Sequence, residues 1–246
     1  MKDNFSQQSA QYAQFRPAYP AALYDFLLPL APGRRRAWDC ATGNGQVAAV
    51  LADHFEQVDA TDISAKQLEH ALQRPNIRYA VGAAEKTDFP DAAFDLITVA
   101  QAAHWFDFDR FYPEAQRVLK PGGILALWGY GLLRTESEAV NERLDHFYRE
   151  VTGPYWDAER RHVDAEYRSI PFPFTEIEAP AFRMPYRWTL PHFQGYLGTW
   201  SAVQHYRKAL GEDPVAVFAP QIEAVWPEDR ALAIWFPVFV RLGRPA

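Results

Sequence analysis

A chain of 246 residues with a formal net charge of -6 is long enough for one α/β domain with a sizeable core, and its mixed signs exclude the basic stripe of a general nucleic-acid binder. A single cysteine, Cys40, rules out an internal disulfide and fits a reducing compartment. No apolar run is long enough to span a bilayer and "MKDNFSQQSAQYAQF" has no signal-peptide core, so a cytoplasmic location and no membrane partner are expected.

In chain order, the arginine cluster Arg34–Arg36 reads as a solvated loop ahead of a strand. From about 36 to 129, apolar runs alternate with helical-period stretches, the pattern of βα units and a parallel sheet. The strands are "AWDCA", "VDATDI", "IRYAVG", "FDLITVA" and "GILALWGY". The helices are Gln46–Phe55, Ala65–Gln73 after a Ser64 cap, and Phe108–Leu119, the last stopped by "LKPGG". A polar helix over Glu136–Glu150 follows, then the Pro- and aromatic-rich "GPYWDAERRHVDAEYRSIPFPF". "AFRMPYRWTL" and "ALAIWFPVFVRLGR" read as two late strands separated by helices from Pro191 to about Trp226, with Pro185 and Pro237 pointing to edges or bulges.

The stretch "AWDCATGNGQ" carries the first chemistry. Glycines in a strand-turn-helix let a ligand approach the backbone, and a helix N-terminus offers N–H groups to negative charge. Gly43-Asn44-Gly45-Gln46-Val47-Ala48 matches the dinucleotide pattern G-x-G-x-x-G/A, so an NAD(P)-dependent oxidoreductase is one reading. Asp39 gives D-x-A-x-G-x-G with Ala41, Gly43 and Gly45, which resembles the first motif of class I S-adenosylmethionine-dependent methyltransferases. A carboxylate beside the loop repels a pyrophosphate but can position a neighbouring loop or an ammonium group. Ala41 stands where that family usually has glycine, and its methyl group fits if φ is negative. Asp62 closes the second strand, 17 residues beyond Gly45; it can accept hydrogen bonds from ribose hydroxyls or cap the following helix.

"VGAAEKTDFPDAAFDLITVAQAAHWFD" resembles a stretch of the type 11 methyltransferases, especially the branch containing trans-aconitate methyltransferase. "YAQFRPAYP" and the C-terminal "LGTWSAVQHYRKALGEDP" and "WFPVFVRLGR" resemble the same branch. The resemblance implies a Rossmann-like, doubly wound, mostly parallel seven-stranded sheet of order 3-2-1-4-5-7-6, the last strand antiparallel, with helical insertions over the active site. It implies a single domain, 1–246: an N-terminal helical cap (1–30), a cofactor-binding core (31–130), a lid or insertion (131–180), and C-terminal strands and helices (181–246). S-adenosylmethionine is the implied cofactor and S-adenosylhomocysteine its product. By the same resemblance Asp39, Ala41, Gly43, Gly45, Asp62 and Ile63 hold the cofactor, Ala84 and Glu85 lie along its adenine, and Ala100 and Gln101 face its methionine part. Arg16 would grip a carboxylate of the cofactor or of an acidic substrate, or its segment simply closes over the domain.

His104 and Trp105 fall at the rim where the methyl group would be exposed, as the expected catalytic pair; a histidine beside a tryptophan is equally often structural. Tyr12, Tyr19, His104, Tyr130 and Trp200 are the expected substrate contacts, whereas Trp128, Trp188, His205 and Tyr206 are weaker pocket candidates. No metal is expected, because the seven histidines are scattered and one cysteine builds no thiolate site. The expected function is methylation of a small molecule, with a carboxylic acid the preferred acceptor. A non-catalytic S-adenosylmethionine-binding protein is a third reading. The expected partner is a small-molecule substrate, with no nucleic acid, and the chain is a monomer or homodimer.

Overall fold

A computed structural model describes residues 17–227 and 231–245. Nine strands among them form one sheet: β1 (Arg36–Cys40), β2 (Gln57–Asp62), β3 (Ile77–Val81), β4 (Phe94–Ala100), β5 (Leu119–Tyr130), β6 (Arg134–Thr135), β7 (Thr175–Ile177), β8 (Phe182–Trp188) and β9 (Leu232–Arg244). The path is β3-β2-β1-β4-β5-β9-β6, with β7 and β8 pairing β9. Strands β1 to β5 are parallel, and β9 runs antiparallel to β5 and β8. Without the short β6 and β7, this is the expected order 3-2-1-4-5-7-6 with its last strand reversed; the two extra strands are short additions along β9.

Helices cover both faces: α1 (Ala21–Leu27), α2 (Gln46–Ala52), α3 (Ala65–Glu69), α4 (Phe108–Val118), α5 (Glu138–His146), α6 (Arg160–Asp164), α7 (Leu190–Gly198), α8 (Ser201–Leu210) and α9 (Pro214–Glu223). Because side chains alternate across a strand, neighbours separate into two cores. Ala37, Leu96 and Ile124 pack with Val47, Leu51 and Trp128 on one face; Trp38, Ile97 and Leu125 pack with Phe111 and Ala115 of α4 on the other. Both faces are covered, which is why these strands read as continuous apolar runs. Cys40 is buried in the second core, and its thiol pKa is pushed up by burial and by Asp39, as suits a packing residue.

Several helices are shorter than their periodicity suggests. α3 starts at its Ser64 cap, whose hydroxyl accepts the Gln67 N–H, but stops at Glu69 because the chain is pulled away by a Leu72 N–H bond to the Asn44 carbonyl (3.1 Å). The stretch expected as one helix to Glu150 is α5 followed by a π-helical turn over Phe147–Val151. Pro185 lies on β8, which pairs only β9 among the described residues. Pro237 occupies the break on β9 between its pairing with β5 and with β6, where Gly131 donates to its carbonyl (2.9 Å); a residue with no N–H costs the ladder nothing there. The arginine cluster is partly structural, since Arg36 Nε pairs Asp59 at 2.6 Å.

Strand order reverses between β1 and β4, so a crevice opens at their carboxyl ends, the usual ligand position in an open α/β sheet.

Candidate functional site

At that crevice the chain leaves β1 through a tight loop. Ala41, Gly43 and Gly45 all take positive φ, +56°, +57° and +78°. The turn lets Thr42 N–H reach the Thr61 carbonyl of β2 (2.9 Å), and Gly45 N–H the Thr42 carbonyl (3.0 Å). A Cβ on Gly43 would meet nothing, whereas one on Gly45 would strike the Tyr79 hydroxyl. The condition under which the Ala41 methyl group fits without strain, a negative φ, is not met: the same turn that needs glycine at 43 and 45 puts the alanine in the left-handed region. That conformation costs a non-glycine residue about 1–2 kcal/mol, and glycine gives back about 0.5–1 kcal/mol through the freer unfolded chain. Ala41→Gly is expected to raise the melting temperature by about 1–3 °C in a calorimetric scan; a lower melting temperature would contradict the strain.

Two carboxylates hold the loop. Asp39 is buried; its Oδ1 accepts the Thr98 hydroxyl (2.8 Å) and its Oδ2 the Ala48 N–H in the first turn of α2 (3.0 Å) and the Thr42 hydroxyl. Burial raises its pKa from 3.8 to about 6, the three hydrogen bonds pull it back, and Asp62 adds to the rise. Asp39 is thus taken up inside the fold and is absent from the cavity wall: it positions the loop and does not itself face a ligand. Asp62 does line the cavity. Its Oδ2 accepts the Gly43 N–H (2.8 Å) and its Oδ1 the Ser64 N–H (2.8 Å), so it ties the glycine loop to the turn that starts α3.

The cavity has an empty volume of about 1480 Å³, part of it open to solvent. Its sheet side consists of Ala41–Asn44, Gln46, Val47, Asp62–Ser64, Gln67 and Ala100–Ala102. Gln101 has φ +54°, and its side-chain amide pairs the Tyr130 backbone, accepting N–H at 2.8 Å. Its amide therefore completes the β4–β5 edge, and Gly129 is needed there because a Cβ would collide with it. Tyr19, His104, Trp105, Tyr130 and Trp200 are all in the wall, as is Ile63.

Other expected residues lie elsewhere. Ala84 is buried in the second core and Glu85 accepts the Asp107 N–H (3.2 Å); neither reaches the wall, because Glu85 serves the start of α4. Gly45 is absent from the wall and closes the turn through its N–H bond to the Thr42 carbonyl. Trp128 and Trp188 belong to the first core, His205 Nδ1 is 2.9 Å from the Tyr155 carbonyl and Tyr206 packs on Tyr155. Tyr12 and Arg16 fall outside the described residues.

His104 is buried, with Nδ1 3.0 Å from the Tyr167 hydroxyl. Tyr167 is brought under the ring by two consecutive left-handed residues, Glu166 (+52°) and Tyr167 (+59°), at the end of α6. Burial first, then Arg160 and His162, lowers the His104 pKa to about 3. The ring is neutral across the physiological range, so it is a hydrogen-bonding group and a poor proton acceptor, which argues against a general-base role for this member of the expected catalytic pair.

The rest of the wall comes from the expected lid or insertion and from the C-terminal helices, where Trp200 was the expected contact. Leu132, Trp156, Asp157 and Arg160 come from 131–180, and Tyr196, Trp200 and Ser201 from the start of the C-terminal helices. Rings of Tyr148, Trp156 and Trp200 pack together at 5.2–5.6 Å, and the Tyr148 hydroxyl donates to Asp164 (2.6 Å). Among the described residues no cluster of potential metal ligands occurs, and no helix is long and apolar enough to cross a membrane.

Comparison with known proteins fits this arrangement. The "Methyltransferase domain" family matches residues 38–127, from β1 to β5. A Dictyostelium discoideum protein named as a candidate methyltransferase is 32% identical over 98% of this chain and 95% of its own length. The chain belongs to the class I S-adenosylmethionine-dependent methyltransferases. Within that family, a solved structure of a candidate type II methyltransferase from Anaeromyxobacter dehalogenans is 44% identical, covers 94% of this chain and 98% of its own, and superposes with a TM-score of 0.86. The methyltransferase fold extends to a Haemonchus contortus phosphoethanolamine N-methyltransferase, 18% identical with TM-score 0.51 over 98% of this chain and 58% of that one; it was solved with phosphomonomethylethanolamine and S-adenosylhomocysteine.

Proposed function

We propose that this methyltransferase uses S-adenosylmethionine to methylate a small molecule, and that the acceptor is a carboxylic acid. The observation that carries the cofactor is the use of the loop's amides. In a dinucleotide site the glycine-loop and helix N-terminal N–H groups face a pyrophosphate; here Gly43 N–H goes to Asp62 and Ala48 N–H to Asp39. A pyrophosphate would find these amides already taken and the Asp62 carboxylate in the wall, whereas a phosphate-free nucleoside with an ammonium-bearing tail suits that carboxylate. The nematode enzyme of the same fold was solved with the corresponding product, in keeping with this reading.

S-adenosylmethionine supplies a methyl group on a cationic sulfur, so attack by a carboxylate oxygen forms the O–C bond as the S–C bond breaks, its electron pair returning to sulfur. An ionised carboxylate has no proton to remove, which matches a neutral His104 of low basicity. What the chain contributes is alignment and exclusion of water: Asp62 and the glycine loop form the donor's floor, Tyr130, Trp156, Tyr196 and Trp200 close the cavity with apolar rings, and His104 offers a fixed hydrogen bond. The resemblance of the "QAAHWF" stretch to the trans-aconitate branch supports an acidic acceptor. The cavity's size suits one small molecule beside a nucleoside, with no nucleic-acid partner.

The test incubates the protein with donor labelled in the methyl group and a panel of small carboxylic acids. Base-labile methyl esters are expected. Tight product binding with no transfer to any acid, amine or phenol of the panel would instead favour a non-catalytic binding protein.

A further inference from the structure

We infer that Arg160 anchors a carboxylate of the methyl acceptor that is distinct from the group being methylated; this rests on the methyltransferase reading above. Among the described residues Arg160 is the cation of a wall whose other charged residues are Asp62 and Asp157. Its guanidinium lies 4.7 Å from the Trp156 ring centroid and 5.5 Å from that of Tyr148. Nε is engaged, donating to the Tyr148 hydroxyl at 2.9 Å and lying 3.5 Å from Asp164. The two terminal nitrogens make no hydrogen bond to the described residues, while the side chain is only 20% exposed. Asp164 is a weak counterion, half exposed and already accepting from Tyr148. Burial by itself would make the guanidinium easier to deprotonate, but Tyr148 and Asp164 more than offset it, so the charge persists.

A cation packed over an aromatic ring, with terminal donors that bond to none of the described residues, is built for a planar anion. Its position favours the acceptor as the source. Arg160 sits at the start of α6 among the aromatic rings that line the cavity, Trp156, Tyr196 and Trp200, and near enough to His104 to act on its charge. A carboxylate gripped by a guanidinium has its lone pairs engaged and is a poor nucleophile, so the methylated group is a second one on the same molecule. The acceptor class is therefore a compact acid with at least two functional groups, one anionic and held, the other attacking.

The test uses tricarballylate and its neutral trimethyl ester as probes, titrated calorimetrically into the protein saturated with S-adenosylhomocysteine. Tricarballylate is expected to bind and the ester not to. Arg160→Gln should weaken tricarballylate roughly 10- to 100-fold while leaving the affinity for S-adenosylhomocysteine within about threefold, and Arg160→Lys should recover part of the loss. Equal binding of tricarballylate by Arg160→Gln, or of acid and ester by the wild type, would overturn the inference. Loss of S-adenosylhomocysteine but not of 5′-methylthioadenosine, which lacks the amino-acid tail, would assign Arg160 to the cofactor's carboxylate and also overturn it. The wild-type contrast stands even if a variant fails to fold. Failure of S-adenosylhomocysteine to bind wild type would instead break the underlying cofactor assignment.

Discussion

Replacing Asp62 by alanine is expected to weaken S-adenosylhomocysteine binding about 100- to 1000-fold, since each hydrogen bond to a charged group contributes about 1.5–3 kcal/mol. Two kinds of contact disappear together. The carboxylate's bonds to Gly43 N–H and Ser64 N–H, both 2.8 Å, no longer hold the glycine loop against the β2–α3 turn, and the acceptor facing the cavity is gone. Asp62→Asn keeps the shape but can accept with one oxygen only, so an intermediate loss is expected. Isothermal titration of the three proteins measures the effect. A dissociation constant for Asp62→Ala within threefold of the wild type would show that this carboxylate does not contact the donor.

Asp39 gives the second large effect, and its signature is in pH. Its folded pKa is raised to about 6 from 3.8, chiefly by burial. The folded state therefore binds the proton more tightly than the unfolded chain. This contribution to stability is fully present below about pH 4 and is lost as pH rises to 6 and above, by roughly 3 kcal/mol over the two-unit difference. Asp39→Asn does not titrate there, and its amide can donate to the Thr98 hydroxyl, which is free to rotate. Subtracting the unfolding free energy of Asp39→Asn from that of the wild type removes the opposing slopes of Glu114, Glu176 and Asp213, whose pKa values are lowered. The difference is expected to fall by about 3 kcal/mol between pH 4 and pH 7. A difference independent of pH would mean that the buried carboxylate is fully compensated by its three hydrogen bonds.

Much of the sheet was legible because its rules are local. "FDLITVA" matches β4 end to end, since a strand buried on both faces reads as a nearly uninterrupted apolar run, and "VDATDI" and "IRYAVG" each fall within a residue of β2 and β3, the latter a largely exposed edge strand. The glycine loop, Asp62 and Ile63 were legible because they follow strand ends directly. What was not legible depends on contacts distant in the chain. Arg160 and Trp156 reach the cavity only through Tyr148, Asp164 and the His205–Tyr155 contact, and "GPYWDAERRHVD" carries no periodicity that points inward. Glu85 could not be separated from a ligand contact without knowing that Asp107 N–H lies 3.2 Å away. The positive φ of Ala41 and Gln101 follows from where β2 and β5 place their backbone groups, which a single strand's sequence does not encode.

The most direct measurement of the central claim is a pair of calorimetric titrations of the purified protein at neutral pH, one with S-adenosylhomocysteine and one with NADH. Saturable one-to-one binding of S-adenosylhomocysteine, with no heat from NADH, is the predicted result. Binding of NADH with none of S-adenosylhomocysteine would contradict it, since it would require a pyrophosphate to settle against Asp62 and the loop held by Asp39.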